Sequence, residues 1–187
     1  TCGALLLINL DNFSILNNTN GYEVGDQARM AAAGRLQRLP LPGAVLARAG
    51  GDEFLVLLEN LGGLEEGPDL VCRHADDAAS AILAQFRQPL AMGQGRFTVC
   101  ASIGIALVRD DGATTGEVLQ RAELAMLEAK KRGKNTAVKF DQSLRDALHA
   151  RLQFESALRS AIPDQLMAVY QPQVDLATGW QGAELLV

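Results

Sequence analysis

With 187 residues, 48% of them hydrophobic and 21% charged, the chain has the make-up of a soluble globular protein and is long enough for one well-packed domain and part of a second. Its net charge of -5 argues against a general affinity for nucleic-acid backbone, so any phosphate ligand has to be held locally. Cys2, Cys72 and Cys100 form no Cys-x-x-Cys pair, His74 and His149 lack metal-ligand spacing, and no apolar run reaches bilayer length, which argues against a disulfide frame and a membrane span and places reduced thiols in the cytosol.

The segment ALLLINL, residues 4–10, is apolar on both alternating faces and predicts a central strand covered on both sides. DNFSILNNTNGYEVGD, from Asp11 to Asp26, predicts a polar loop, and the Ala-rich pattern from Val24 to Leu39 predicts a helix ended by Pro40, Pro42 and Gly43. VLARA and FLVLLEN predict a β-hairpin with GGDE at its turn. A loop containing GGLEEGPD leads to a helix over roughly Leu70 to Gln88, stopped by Pro89. RFTVCASIGIALV, residues 96–108, predicts the longer member of a further strand pair. A helix follows from about Thr115 to Arg132, with Val118, Leu119, Ala122, Leu124, Ala125 and Ala129 as its apolar stripe and Gly133 at its C-terminal cap. TAVKF then closes the unit near Asp141. The order β-α-β-β-α-β, with one added helix and strand, predicts an α+β, ferredoxin-like fold whose central sheet is mainly antiparallel and flanked by helices.

Beyond Asp141 the texture changes. QSLRDALHARLQFESALRSAI predicts a long amphipathic helix ended by Pro163, and LMAVYQPQVDLATGWQGAELLV predicts two strands flanking ATG. The expected organisation is a domain over 1–141, a linker helix over 142–163 and the start of a second domain over 164–187. Because the chain opens at Thr1 and stops in apolar sequence, it is expected to be a piece of a longer protein, with any sensory or membrane-attached segment lying upstream. The fragment itself is expected to contact neither membrane nor nucleic acid.

Four ordered blocks carry a resemblance to a known family: NLDNFSILNNTNGYEVGD at 9–26, RAGGDEF at 48–54, SIGIA at 102–106 and AELAMLEAKKRGKN at 122–135. Together they resemble the GGDEF domains that make cyclic di-GMP in bacteria, over residues 3–141. The final YQPQVDLATGWQGAELL resembles the first strands of an EAL phosphodiesterase barrel, with Glu184 at the signature glutamate and Leu185 in place of its alanine.

The first resemblance implies the palm fold of nucleotidyl cyclases and a reaction in which two GTP molecules, one on each of two facing domains, are joined at their α-phosphates. It implies magnesium, or manganese in its place, held by Asn9, the Leu10 carbonyl and Asp52, with Glu53 assisting Asp52 in metal or proton handling. Asn17 and Asp26 fall where the family reads the guanine edge. The amides near Asn12 and Phe13, with Lys130 and Lys134, fall against the phosphates. Phosphoryl transfer needs just such carboxylate-held cations and phosphate-binding donors. On the residues alone, Asp52 and Glu53 also suit a solvated turn, Asn17 and Asp26 the start of a helix, and Lys130 and Lys134 a helix end that complements the macrodipole.

The pattern breaks at Asn9, where the family has a metal-binding aspartate. An amide oxygen coordinates but brings no negative charge. Ser14 replaces a lysine, Leu127 a tyrosine, and Lys134 an arginine, while Leu41-Pro42-Gly43-Ala44 stands where many members carry an Arg-x-x-Asp inhibitory site. Three readings follow: a GTP-binding regulatory module for an EAL phosphodiesterase of the same chain, an active cyclase in which Asp11, Asp52 and Glu53 suffice for magnesium, and a dimerisation scaffold that binds no nucleotide.

Overall fold

The structure, a computed structural model, describes residues 2–59, 68–92, 95–108, 113–161, 169–179 and 181–186. Residues up to Leu144 form one unit and those from Arg145 onward another.

The first unit is built on β1 (Gly3–Leu10), the middle strand of a sheet ordered β2-β3-β1-β6-β7. Both neighbours of β1, β3 (Glu53–Leu58) and β6 (Ala101–Val108), run antiparallel to it, as β2 (Ala44–Gly50) does to β3. The edge strand β7 (Ala137–Lys139) lies parallel to β6, so the sheet is mixed. The parallel step follows from the connection, because α4 (Thr115–Lys131) crosses over between β6 and β7.

Alternation along β1 sorts the two faces. Ala4, Leu6, Ile8 and Leu10 join the main core, with Phe54, Val56 and Leu58 of β3 and residues of α2 (Tyr22–Gln37) and α3 (Pro68–Phe86). Leu7 joins a second cluster with Ala106 and with Val118, Ala122 and Met126 of α4. Being covered on both faces explains the unbroken apolar run in this strand. On α2, Arg35 donates to the Gln85 carbonyl at 2.7 Å and also reaches those of Gln88 and Pro89, supplying donors to the end of α3.

Two expectations change. The segment from Asp11 to Asp26 holds a helix, α1 (Phe13–Asn20), where the sequence predicts only loop. Its Asn and Thr content is poor for a helix, yet Phe13 is buried in the core and Gly21 at φ 87° ends the element, so packing overrides propensity. The run from Arg96 to Val108 is not one strand. It divides into β5 (Gly95–Phe97), paired with β4 (Leu90–Met92), and β6. The GGLEEG loop and the end of the linker helix at Ile162 and Pro163 lie outside the described residues.

The predicted cap at Gly133 forms a full C-terminal motif. Gly133 takes φ 107°, its amide meets the Lys130 carbonyl at 3.4 Å, and the Lys134 amide meets Ala129 O at 3.1 Å.

The second unit contains most of α5 (Gln142–Ala161) and an antiparallel hairpin, β8 (Val169–Val174) with β9 (Gln181–Leu186). Glu184 lies opposite Gln171 and accepts from Gln173 Nε2 at 3.1 Å. In the turn between the strands, backbone bonds from Thr178 and Ala177 hold the Asp175 carboxyl below the usual carboxylate range.

Candidate functional site

The GGDE turn sits where the sequence places it, between β2 and β3. Gly50 and Gly51 both take positive φ, 153° and 44°, and the register shifts there by one residue, so the pair supplies a bend that side-chain-bearing residues resist. Arg48 Nη2 donates to Gly51 O at 3.0 Å, and the Leu10 amide donates to Asp52 O at 3.0 Å. These bonds pin the turn against the end of β1.

Asn9 pairs directly with Glu53 on one side and with Ser102 of β6 on the other. The three side chains therefore share the α4 face in a polar row at the sheet's end. Asn9 Nδ2 donates to Glu53 Oε1 at 3.3 Å. Glu53 is thus met by a neutral donor where an aspartate at position 9 would bring a second carboxylate.

Asp11 is almost fully buried at 7% exposure, and both of its carboxylate oxygens are engaged. Ser102 Oγ donates to Oδ1 at 2.7 Å and the Asn135 amide donates to Oδ2 at 3.0 Å. Its own amide donates to Cys100 O at 2.8 Å. One carboxylate thereby ties the end of β1 to β6 and to the segment after α4. That segment holds Lys134 and Asn135 in left-handed geometry, φ 66° and 47°. Lys134 Nζ donates to Asn12 Oδ1 at 2.6 Å, which brings it beside the start of α1. Asn12 is itself left-handed, φ 57°, and its carbonyl accepts from the Ile15 and Leu16 amides at 3.0 and 3.1 Å, while the Phe13 and Ser14 amides precede the first intrahelical bond of α1. Lys130 lies one turn before Lys134, half-buried in the last turn of α4.

Asn17 of α1 packs against Gly25 of α2, the residue that precedes Asp26. The Asn17 carboxamide lies against Gly25, where an added Cβ would come 1.7 Å from Asn17 Oδ1. That oxygen is buried and has no hydrogen-bond partner. An orphaned buried acceptor is costly, and this one lies packed against Gly25, so the carboxamide has to turn before its oxygen meets a donor. Asp26 is exposed and paired with Arg29, whose guanidinium lies 5.3 Å from the centre of the Phe13 ring.

The oxygen donors of Asn9, Leu10, Asp52 and Glu53 suit magnesium in kind. They fall short in charge, and Asn9 turns an N–H toward Glu53. Among the described residues no group of three or more His, Cys, Asp or Glu side chains is placed to hold a metal.

Three residues in this neighbourhood escaped the sequence reading. Ser102 was hidden inside an apolar strand, although a lone serine in register with Asn9 was a signal. Asn135 acts through its backbone, which no side-chain pattern reveals. Arg29 lies inside the Ala-rich helical pattern, which gives it no distinguishing mark.

The fold and this arrangement define an α+β domain with a central mixed sheet whose polar, carboxylate-bearing end lies beside a helix start. Residues 1–136 match the family described as "Diguanylate cyclase, GGDEF domain", and the chain belongs to that family, which works in cyclic di-GMP signalling. It is 32% identical over 185 residues to signaling protein YkoW of Bacillus subtilis, covering 98% of this chain and 22% of that protein. It is 33% identical over 175 residues to the bifunctional diguanylate cyclase/cyclic di-GMP phosphodiesterase MucR of Pseudomonas aeruginosa, covering 91% and 24%. The chain thus spans about a quarter or less of the length of these curated relatives. Among solved structures, an EAL/GGDEF domain protein from M. capsulatus superposes with a TM-score of 0.66 at 33% identity, over 75% of this chain and 86% of that one. The GGDEF domain of YfiN (TpbB) from Pseudomonas aeruginosa does so with 0.66 at 28%, over 75% and 83%. No helix among the described residues is long and apolar enough to cross a membrane.

Proposed function

We propose that the chain is a degenerate GGDEF module that binds GTP, has lost most or all cyclase activity, and regulates an EAL phosphodiesterase that follows it in the same protein. The observation that carries this reading is the Asn9–Glu53 hydrogen bond at 3.3 Å, in a chain that keeps Asn17 and Asp26. The metal end has lost a charge, and the base end keeps its polar groups.

In this reading Asn17 Oδ1 and Asp26 accept the donors of the guanine edge. Lys130, Lys134 and the amides near Asn12 and Phe13 receive the phosphates. Asp52, Glu53, Asn9 and the Leu10 carbonyl would hold magnesium or manganese, which neutralises triphosphate charge when bound. With one carboxylate fewer, that neutralisation is weak, and turnover falls before binding does. The hairpin β8–β9, with Glu184, is the start of the EAL domain that the module controls.

Two measurements test this. Titration calorimetry with GTP and magnesium is expected to give micromolar binding, and a flat titration removes the reading in favour of a scaffold. Chromatography of a GTP incubation is expected to show no accumulation of cyclic di-GMP. Accumulation at ordinary turnover makes the chain an active cyclase, with Asp11, Asp52 and Glu53 sufficient. In the longer protein, cyclic di-GMP hydrolysis is expected to change when GTP is added.

A further inference from the structure

Resting on the GTP-binding reading above, we infer that Arg29 sets the affinity for GTP by occupying the guanine-reading carboxylate of Asp26 until the base displaces it. The basis is the geometry of α2. Arg29 Nη2 is paired with Asp26 Oδ1 one turn away, and the same guanidinium lies over the Phe13 ring at 5.3 Å. The Arg29 side chain is 22% exposed and that of Asp26 61%, so the arginine is anchored against the protein while the carboxylate it holds faces solvent.

The chemistry of the competition is specific. Guanine presents its N1–H and 2-amino group as two parallel donors, and a carboxylate accepts both at once. An arginine guanidinium presents the same two-donor fork. Adenine has no such edge. Arg29 places one arm of that fork, Nη2, on Asp26 Oδ1 and so holds one of the two oxygens that guanine would engage. A base that brings weaker donors leaves the ion pair in place, and guanine alone repays its opening. Nor does the opening require α2 to unfold, because Arg29 borders an open groove of about 260 Å3 lined in part by Met30, Ala33, Leu46, Arg48 and Phe54.

Exposed ion pairs and cation–π contacts are each modest, so the arginine tunes affinity and does not abolish it. Replacing Arg29 with leucine keeps an apolar stem against Phe13 and removes the fork. The test compares GTP and ATP dissociation constants for the unaltered chain, Arg29→Leu, Arg29→Lys and the double variant Arg29→Leu with Asp26→Asn, each checked for folding by circular dichroism. Arg29→Leu is expected to bind GTP about five-fold tighter with ATP unchanged, Arg29→Lys to fall between, and the double variant to lose the gain. If the unaltered chain binds GTP and Arg29→Leu binds it no tighter, or gains GTP and ATP equally, the inference is overturned while the GTP-binding reading stands. If Arg29→Leu binds GTP where the unaltered chain does not, the inference is upheld. If none of the four proteins binds GTP, the reading and the inference fall together.

Discussion

Asn9 and Glu53 stand directly opposite each other on β1 and β3, and the amide of the first donates to Oε1 of the second at 3.3 Å. An aspartate at position 9 would put two carboxylates face to face, an arrangement that is unfavourable unless a cation lies between them. Asparagine removes that need by satisfying Glu53 internally. Asn9→Asp is therefore expected to make magnesium binding in the presence of GTP about tenfold tighter, on the order of 1.4 kcal/mol. Calorimetric titration of magnesium into the GTP-saturated chain checks this. No gain would place the defect elsewhere, with Ser14 the next residue to restore as lysine.

Asp11 stands one residue outside β1 and was read from sequence as a metal ligand in the active-cyclase alternative. Its carboxylate accepts hydrogen bonds from Ser102 Oγ and the Asn135 amide. Asp11→Ala leaves the buried Ser102 hydroxyl and the partly buried Asn135 amide without an acceptor, and an unmatched buried donor costs about 1–3 kcal/mol. The midpoint of urea unfolding is expected to fall by an amount corresponding to about 3 kcal/mol. Ser102→Ala removes one of the two donors and is expected to cost clearly less.

How far the sequence reached can be argued from these residues. The strand β1 and the helix α4 are legible because their patterns are strong: β1 is apolar nearly throughout, and α4 repeats its apolar stripe and is followed by glycine. The polar run that became α1 was not, since only the burial of Phe13 makes it a helix, and burial is not written in local propensity. Asp52 and Glu53 announced themselves as charges beside glycines. The partners of Asp11 did not, because Ser102 and Asn135 lie 91 and 124 positions away, and pairing at that distance is a property of the sheet register. Arg29 was legible as a charge and illegible as a neighbour of Phe13.

Gly25 touches Asn17, and the contact is with the far end of a flexible side chain. Gly25→Ala would push the Asn17 carboxamide away while improving local helix propensity by up to about 1 kcal/mol. Thermal stability is expected to change little, and GTP affinity to fall at least tenfold, if Asn17 reads the base from this position. Differential scanning calorimetry and GTP titration on the same sample separate the two effects. A variant that binds GTP as the unaltered chain does would show that Asn17 has no part in base recognition.

Gly104 presents the opposite case on the other face of the sheet. A Cβ there would come 2.0 Å from the Ala122 carbonyl oxygen and 2.4 Å from the Met126 amide nitrogen, both backbone atoms of α4. Neither can rotate away, so α4 would have to lift off β6, taking with it the packing of Val118, Ala122 and Met126 against Leu7 and Ala106. Gly104→Ala is expected to destabilise the first unit by about 3 kcal/mol or more, a fall of roughly 10 °C in Tm for a domain of this size. Gly34→Ala is the matched control, since nothing lies within 4 Å of its added Cβ and it sits inside α2. That change is expected to raise Tm, because alanine is the better helix former by about 1 kcal/mol. Opposite signs for the two substitutions, read in one set of thermal scans, would show that close helix–strand contact and not backbone freedom is what fixes glycine in the SIGIA stretch.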